Sequence, residues 1–149
     1  NLRETLWAMK NSDVNAVQLW LRVINFMQQM GRHYTDIQFK VSGTAPKDLI
    51  IPANRALHIV LVIQETVNNS VKHARATTII AQSILQETDW TILLQDDGTG
   101  FDLEKAQTKE DRYGLKNIQE RALAGEFSCR ISAEPGKGTL TTLQISHSR

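Results

Sequence analysis

The sequence predicts a mixed α+β domain, a two-layer sandwich with helices over one face of a sheet. Three observations predict it. Ala53 to His73 keeps Val60, Ile63, Val67 and Val71 on one side at a period near 3.6, the mark of an amphipathic helix. Further on, ATTIIAQSIL, WTILLQD, EFSCRIS and TLTTLQIS are rich in Thr, Ile and Leu and suit four strands. The order, helices, strand, long helix, hairpin, loop, helix, hairpin, does not fit a regular βαβ repeat.

Residues 1 to about 30 read as helical, with Leu2, Leu6, Trp7 and Met9 at roughly helical spacing. Asn11, Ser12 and Asp13 interrupt the run. Ser12 or Asp13 is expected to cap a second helix through Met30, carrying Val17, Leu21, Ile24 and Met27. Gly31 reads as its stop. DIQFKVSG alternates Ile37, Phe39 and Val41 inward, as a strand does. Pro46 and Pro52 bracket a loop before the long helix. The first two later strands join at Glu87-Thr88-Asp89. A polar segment, Leu103 to Arg112, precedes a helix from Leu115 to about Leu123, which ends before Ala124-Gly125. On this reading 1–30 is a helical segment leading into a domain over 31–149.

The chain of 149 residues is one domain's worth, enough for a sizeable core. Its net charge of +1 offers no electrostatic footprint for nucleic acid or an anionic membrane. A single cysteine, Cys129, excludes an internal disulfide and suits a reducing compartment. It lies in the alternating FSCRIS and reads as packing. The longest apolar run, Ile59 to Ile63, is far short of the ~20 residues a membrane helix needs. Neither an initiator Met nor a signal-peptide pattern opens the sequence, so the expectation is a piece of a longer protein.

Four short stretches bear on chemistry. QDDGTGFD, Gln95 to Asp102, sets two acids and two glycines after an apolar strand. Asp and Gly are default turn residues. An acid ending a buried strand can also accept a hydrogen bond from an exocyclic amine, and glycines let a ligand approach backbone. On the long helix, Glu65, Asn69 and Lys72 share one stripe at i, i+4 and i+7. Such a stripe is commonly a solvated face. Asn is a poor mid-helix residue, however, and Asn68 and Asn69 stand together. A carboxylate, an amide oxygen and an ammonium are groups that hold a water or hydroxyl, a magnesium ion and a phosphate. In RYGLKNIQERA, Gly114 is expected just before a helix, whose free N–H groups suit a phosphate. PGKGT, Pro135 to Thr139, fails as a P-loop and alone reads as a hairpin turn. Asn68-Asn69-Ser70 is formally a glycosylation sequon and is assigned no role.

Together, QETVNNSVKHA, DDGTGF, YGLKNIQERA and PGKGT, in this order and spacing, resemble the ATP-binding domain of sensor histidine kinases in the Bergerat or GHKL ATPase superfamily. The subgroup is the one whose N box begins Gln-Glu and ends Lys-His-Ala. The likeness covers about Pro52 to Ile145. It implies a two-layer sandwich of the Bergerat type and Mg·ATP as ligand. Glu65 then matches the acid that polarises the attacking nucleophile. Asn69 matches the magnesium-binding amide, and Lys72 and His73 the basic end of the box near the phosphates. Asp96, rather than Asp97, matches the acid that bonds the adenine amino group. Gly98 and Gly100 match the paired glycines beside it, and these are expected to make room for the ring. Gly114 and Leu115 match the second glycine box at the lid hinge, and Thr139 matches the Thr after the last glycine box, close to adenine.

The likeness further implies a phosphoacceptor histidine on a separate dimerisation hairpin, a response regulator, and a homodimer as the full-length protein. It places the domain in the cytoplasm, with an inner-membrane anchor an option for the parent. The sequence departs from the family in having Tyr113 where many relatives carry a second Gly, in a short lid, and in lacking an acceptor motif. None of His33, His58, His73 and His147 has a His-Asp or His-Glu helical context. LRETLWAMKN resembles the segment leaving the dimerisation helices. It argues against an anti-sigma-type serine kinase of the same superfamily, whose phosphoserine would survive acid. A nucleotide-gated interaction module without catalysis stays open, with Trp7, Trp20 and Leu21 offering either a docking surface or core.

Overall fold

The computed structural model describes residues 12–99, 109–133 and 136–146, apart from the side chains of 109–114. The chain enters through β1 (Val14–Asn15) and turns directly into α1 (Ala16–His33). Asn15 caps α1 in a reciprocal box. The Gln18 N–H donates to Asn15 Oδ1 at 2.8 Å, and the Asn15 N–H donates to Gln18 Oε1 at 3.0 Å. The cap therefore falls two or three residues later than Ser12 or Asp13. Asp13 serves a different helix. Its carboxylate accepts the N–H of Ala53, the first residue of the long helix, at 3.1 Å. Gly31 does not stop α1, which runs on to His33, where the Tyr34 N–H closes onto the Met30 carbonyl.

After α1 come β2 (Gln38–Ser42), β3 (Ile50–Ile51) and α2 (Ala53–His73). β3 pairs antiparallel with β1, a two-residue ladder absent from the sequence reading. Then follow β4 (Thr78–Leu85), β5 (Asp89–Asp96), α3 (Lys109–Ala124), β6 (Ser128–Ala133) and β7 (Thr139–Ser146). The main sheet runs β2-β4-β5-β7-β6, with β2 parallel to β4 and the other neighbours antiparallel. α3 begins six residues before Leu115, so Gly114 lies inside the helix and not ahead of it. No helix among the described residues is long and apolar enough to cross a membrane.

One face of the sheet is buried under the helices. The inward set alternates along each strand: Ile79, Ala81 and Ser83 on β4, Trp90, Ile92 and Leu94 on β5, and Thr141, Leu143 and Ile145 on β7. Ala56, Ile59, Val60, Val62, Ile63 and Val67 of α2 meet it. Leu19, Trp20, Val23 and Met27 of α1 belong to the same core, so this helix is built into the domain rather than standing apart as a leading segment. Trp20 is core, meeting Trp90 edge-on at 6.3 Å between ring centres, whereas Leu21 is exposed. Both indoles are satisfied. Trp20 Nε1 donates to the Gly43 carbonyl at 3.2 Å. Trp90 Nε1 donates to Ser83 Oγ at 2.7 Å, which in turn donates to the Thr44 carbonyl at 2.8 Å. Cys129 is buried, and burial pushes its thiol up to about 11, which fits packing rather than reaction.

Candidate functional site

The inward alternation of β5 does not end at Leu94. Its next position is Asp96, 4% exposed. A carboxylate there costs free energy unless its oxygens are met. Two donors meet it: Ser70 Oγ on α2, 2.6 Å from Oδ2, and the Gly98 N–H, 2.9 Å from Oδ1. Ser70 carries one hydroxyl proton, and its 3.3 Å contact with the Thr66 carbonyl is much the longer. A carboxylate offers about four acceptor positions. Asp96 thus keeps capacity for a further N–H donor.

Asp97 points the other way and is exposed. It accepts from Thr77 Oγ1 at 2.6 Å and from the N–H groups of Thr77 and Thr78 at 2.8 and 2.9 Å. The Thr77 hydroxyl first, and then the Thr78 N–H, hold its carboxyl below the usual range. Asp97 stitches the end of β5 to the connection entering β4. The adjacent acids have separate roles.

Thr139 sits directly across from Asp96 in the β5–β7 ladder, and its Oγ1 is buried with no hydrogen-bond partner. Thr66 Oγ1, one turn before Ser70 on α2, is in the same condition. Unmet buried hydroxyls are costly and uncommon. One beside a carboxylate with spare acceptor capacity is what a polar ligand would satisfy.

The glycines have protein neighbours. A Cβ on Gly98 would stand 2.1 Å from the Ala74 carbonyl oxygen at the end of α2, and the Thr99 N–H donates to that same oxygen at 2.7 Å. Gly98 makes room for backbone, which corrects the expectation that it opens space for a ring. Gly138 has φ +82, and its Cβ would stand 2.3 Å from the Asp96 carbonyl oxygen. Gly138→Ala is therefore expected to cost about 2 kcal/mol or more, through left-handed strain plus collision. Thermal denaturation should show a fall of several degrees, and an unchanged midpoint would contradict this account. Gly100 lies outside the described residues.

On α2, Glu65 and Asn69 are half-buried while Lys72 and His73 are exposed in the last turn. The stripe is not simply solvated, because α3 lies beside it. Arg121 Nε of α3 stands 3.6 Å from Glu65 Oε2. Gly114 and Leu115 fall on the same helix, Leu115 half-buried, so no helix start with free N–H groups stands at Gly114. His58 is half-buried with an unpartnered Nδ1, and burial first, then the charge of Arg121, pushes its pKa down. The sequence reading gives Ser70 no role beyond a formal sequon and does not single out Arg121. For Ser70, the available signal is a polar i, i+4 pair, Thr66 and Ser70, within the apolar arc of α2.

Among the described residues no three His, Cys, Asp or Glu side chains converge to hold a metal ion. The donor set suits a magnesium ion that keeps waters and arrives with phosphates, for which one amide oxygen such as that of Asn69 is a fitting protein ligand.

A buried acid with acceptor capacity to spare ends the central strand of a helix-covered sheet. The chain belongs to the histidine kinase-, DNA gyrase B-, and HSP90-like ATPase family, whose profile matches residues 54–149. It is similar to the sensor histidine kinase ComP of Bacillus subtilis, 35% identical over 89 residues, covering 60% of this chain and 12% of ComP. The sensor protein VraS of Staphylococcus epidermidis is 27% identical over 135 residues, covering 85% of this chain and 38% of VraS. The chain thus spans well under half the length of these relatives. Among solved structures, the ATP binding domain of PrrB from Mycobacterium tuberculosis superposes with a TM-score of 0.68 at 20% identity, covering 93% of this chain and 98% of that one. The histidine kinase domain of the blue-light activated kinase of Erythrobacter litoralis gives 0.71 at 19% identity, covering 87% and 61%. These likenesses are of fold, and they bear out the two-layer sandwich.

Proposed function

We propose that this chain is the ATP-binding catalytic domain of a sensor histidine kinase, donating the γ-phosphoryl group of ATP to a histidine on a dimerisation domain. The observation that carries the reading is the buried Asp96 carboxylate, bonded to Ser70 and Gly98 with acceptor capacity to spare, beside the unpartnered Thr139 hydroxyl. Asp96 reads the adenine amino group, and Thr139 supplies a second polar contact. Gly98 packs the turn after Asp96 against the end of α2, and Gly114 and Leu115 face the nucleotide from within α3. Lys72 and His73 stand at the basic end of α2, where positive charge suits phosphates. Magnesium bound to the Asn69 amide and the phosphates would neutralise charge on the transferred group. Glu65 orients the acceptor imidazole and takes up its proton as phosphorus bonds to nitrogen and ADP leaves.

The dimerisation domain, a response regulator and a homodimeric parent are the partners this reading entails. The test is calorimetric titration of the chain with a non-hydrolysable ATP analogue, with and without magnesium. Binding that strengthens with magnesium supports the reading. No binding at high micromolar concentrations of both would move it to the interaction-module reading, without catalysis.

A further inference from the structure

α3 does more than cover α2. Arg121 Nε is buried and has no hydrogen-bond partner, and the Glu65 carboxylate lies 3.6 Å away. That separation is too long for a hydrogen bond and short enough for charge attraction. An approach of less than an ångström would complete the bond and relieve the buried donor. We propose that Arg121 is a positioning residue that orients the Glu65 carboxylate for phosphoryl transfer, drawing its N–H onto Oε2 as α3 settles against α2. The proposal rests on the role given to Glu65 above.

Two further features support it. His58, seven residues before Glu65 on α2, also feels the charge of Arg121, and burial first and then that charge lower its pKa, which disfavours a competing cation there. Gly114 and Arg121 are seven residues apart on α3 and nearly in line along its axis. A nucleotide contact at the Gly114 end would reach Glu65 through one rigid element. Meanwhile α3 is anchored at its other end, where Arg55 Nε donates to the Gly125 carbonyl at 2.9 Å.

The experiment uses the full-length kinase and measures ATP affinity and single-turnover phosphoryl transfer separately, for R121Q, R121K, E65Q and E65Q/R121Q. For R121Q we expect ATP affinity within about threefold of wild type and transfer slowed about thirtyfold, the scale of a small misplacement of a reacting group. R121K, which keeps the cation, should transfer at an intermediate rate. The double variant should be no slower than E65Q, because Arg121 acts only through Glu65. Wild-type transfer in R121Q overturns the proposal. So does R121K no faster than R121Q, or a double variant slowed further by the R121Q factor. Should R121Q not fold, R121K decides: transfer about fivefold below wild type at unchanged affinity upholds the proposal, and a wild-type rate sinks it. Wild-type transfer in E65Q would instead remove the role given to Glu65, an outcome read independently of the Arg121 variants.

Discussion

Asp96→Asn is expected to lower the affinity for an ATP analogue by about a hundredfold or more, the scale of losing a charge-assisted hydrogen bond and leaving polar groups unpaired. Asn keeps the size of Asp and half of its acceptors. Ser70 Oγ and the Gly98 N–H both donate to this side chain, so one of them would face the new NH₂ group. An adenine amino group would meet a donor at one position and, at the other, only a single uncharged acceptor lone pair. Calorimetry reads the affinity, and a parallel melt shows whether the variant is folded. Binding within threefold of wild type in a folded Asp96→Asn would remove Asp96 from the adenine site. Asp97→Asn is the informative contrast, because Asp97 is consumed by Thr77 and Thr78.

Glu65→Gln should do the opposite. ATP affinity should stay within about threefold, while transfer to the acceptor histidine falls by about 10²–10⁴, the range for removing a positioned general base. Glu65 is half-buried on the α3 side of α2, away from the Ser70–Asp96 contact, so losing its charge leaves that contact intact. The check is transfer from labelled ATP to the dimerisation domain, with the acid lability of the product distinguishing phosphohistidine from phosphoserine. Transfer within threefold of wild type would mean the acid is a structural partner of Arg121 and nothing more.

Much of the fold is legible in the residues. The four later strands and α2 stand where alternation and helical period put them, because each has one face buried in a single core. That Asp96 rather than Asp97 is buried is available from alternation alone, since Trp90, Ile92, Leu94 and Asp96 share a face. What local pattern could not carry is set by contacts distant in sequence. β1 and β3 are short and exist only because they pair with each other across the whole of α1 and β2. Asp13 looks like a cap for α1, but tertiary geometry gives it to α2. Gly98 looks like space for a ligand, but Ala74, from another element, fills that space. α3 starts before Gly114 because a lone Gly inside a helix costs only about 1 kcal/mol, and packing on α2 outweighs it.

The strand that ends in Asp96 is paired on both sides, with β4 from Trp90 to Asp96 and with β7 along its whole length. Its amides can therefore exchange with solvent deuterium only when the sheet itself opens, which puts β5 among the slowest-exchanging parts of the molecule. The carboxylate is carried on that frame, so its position survives the local openings that loosen loops and helix ends. If Asp96 reads the purine as proposed, nucleotide would find that carboxylate already in place, with no binding free energy spent on building the anchor.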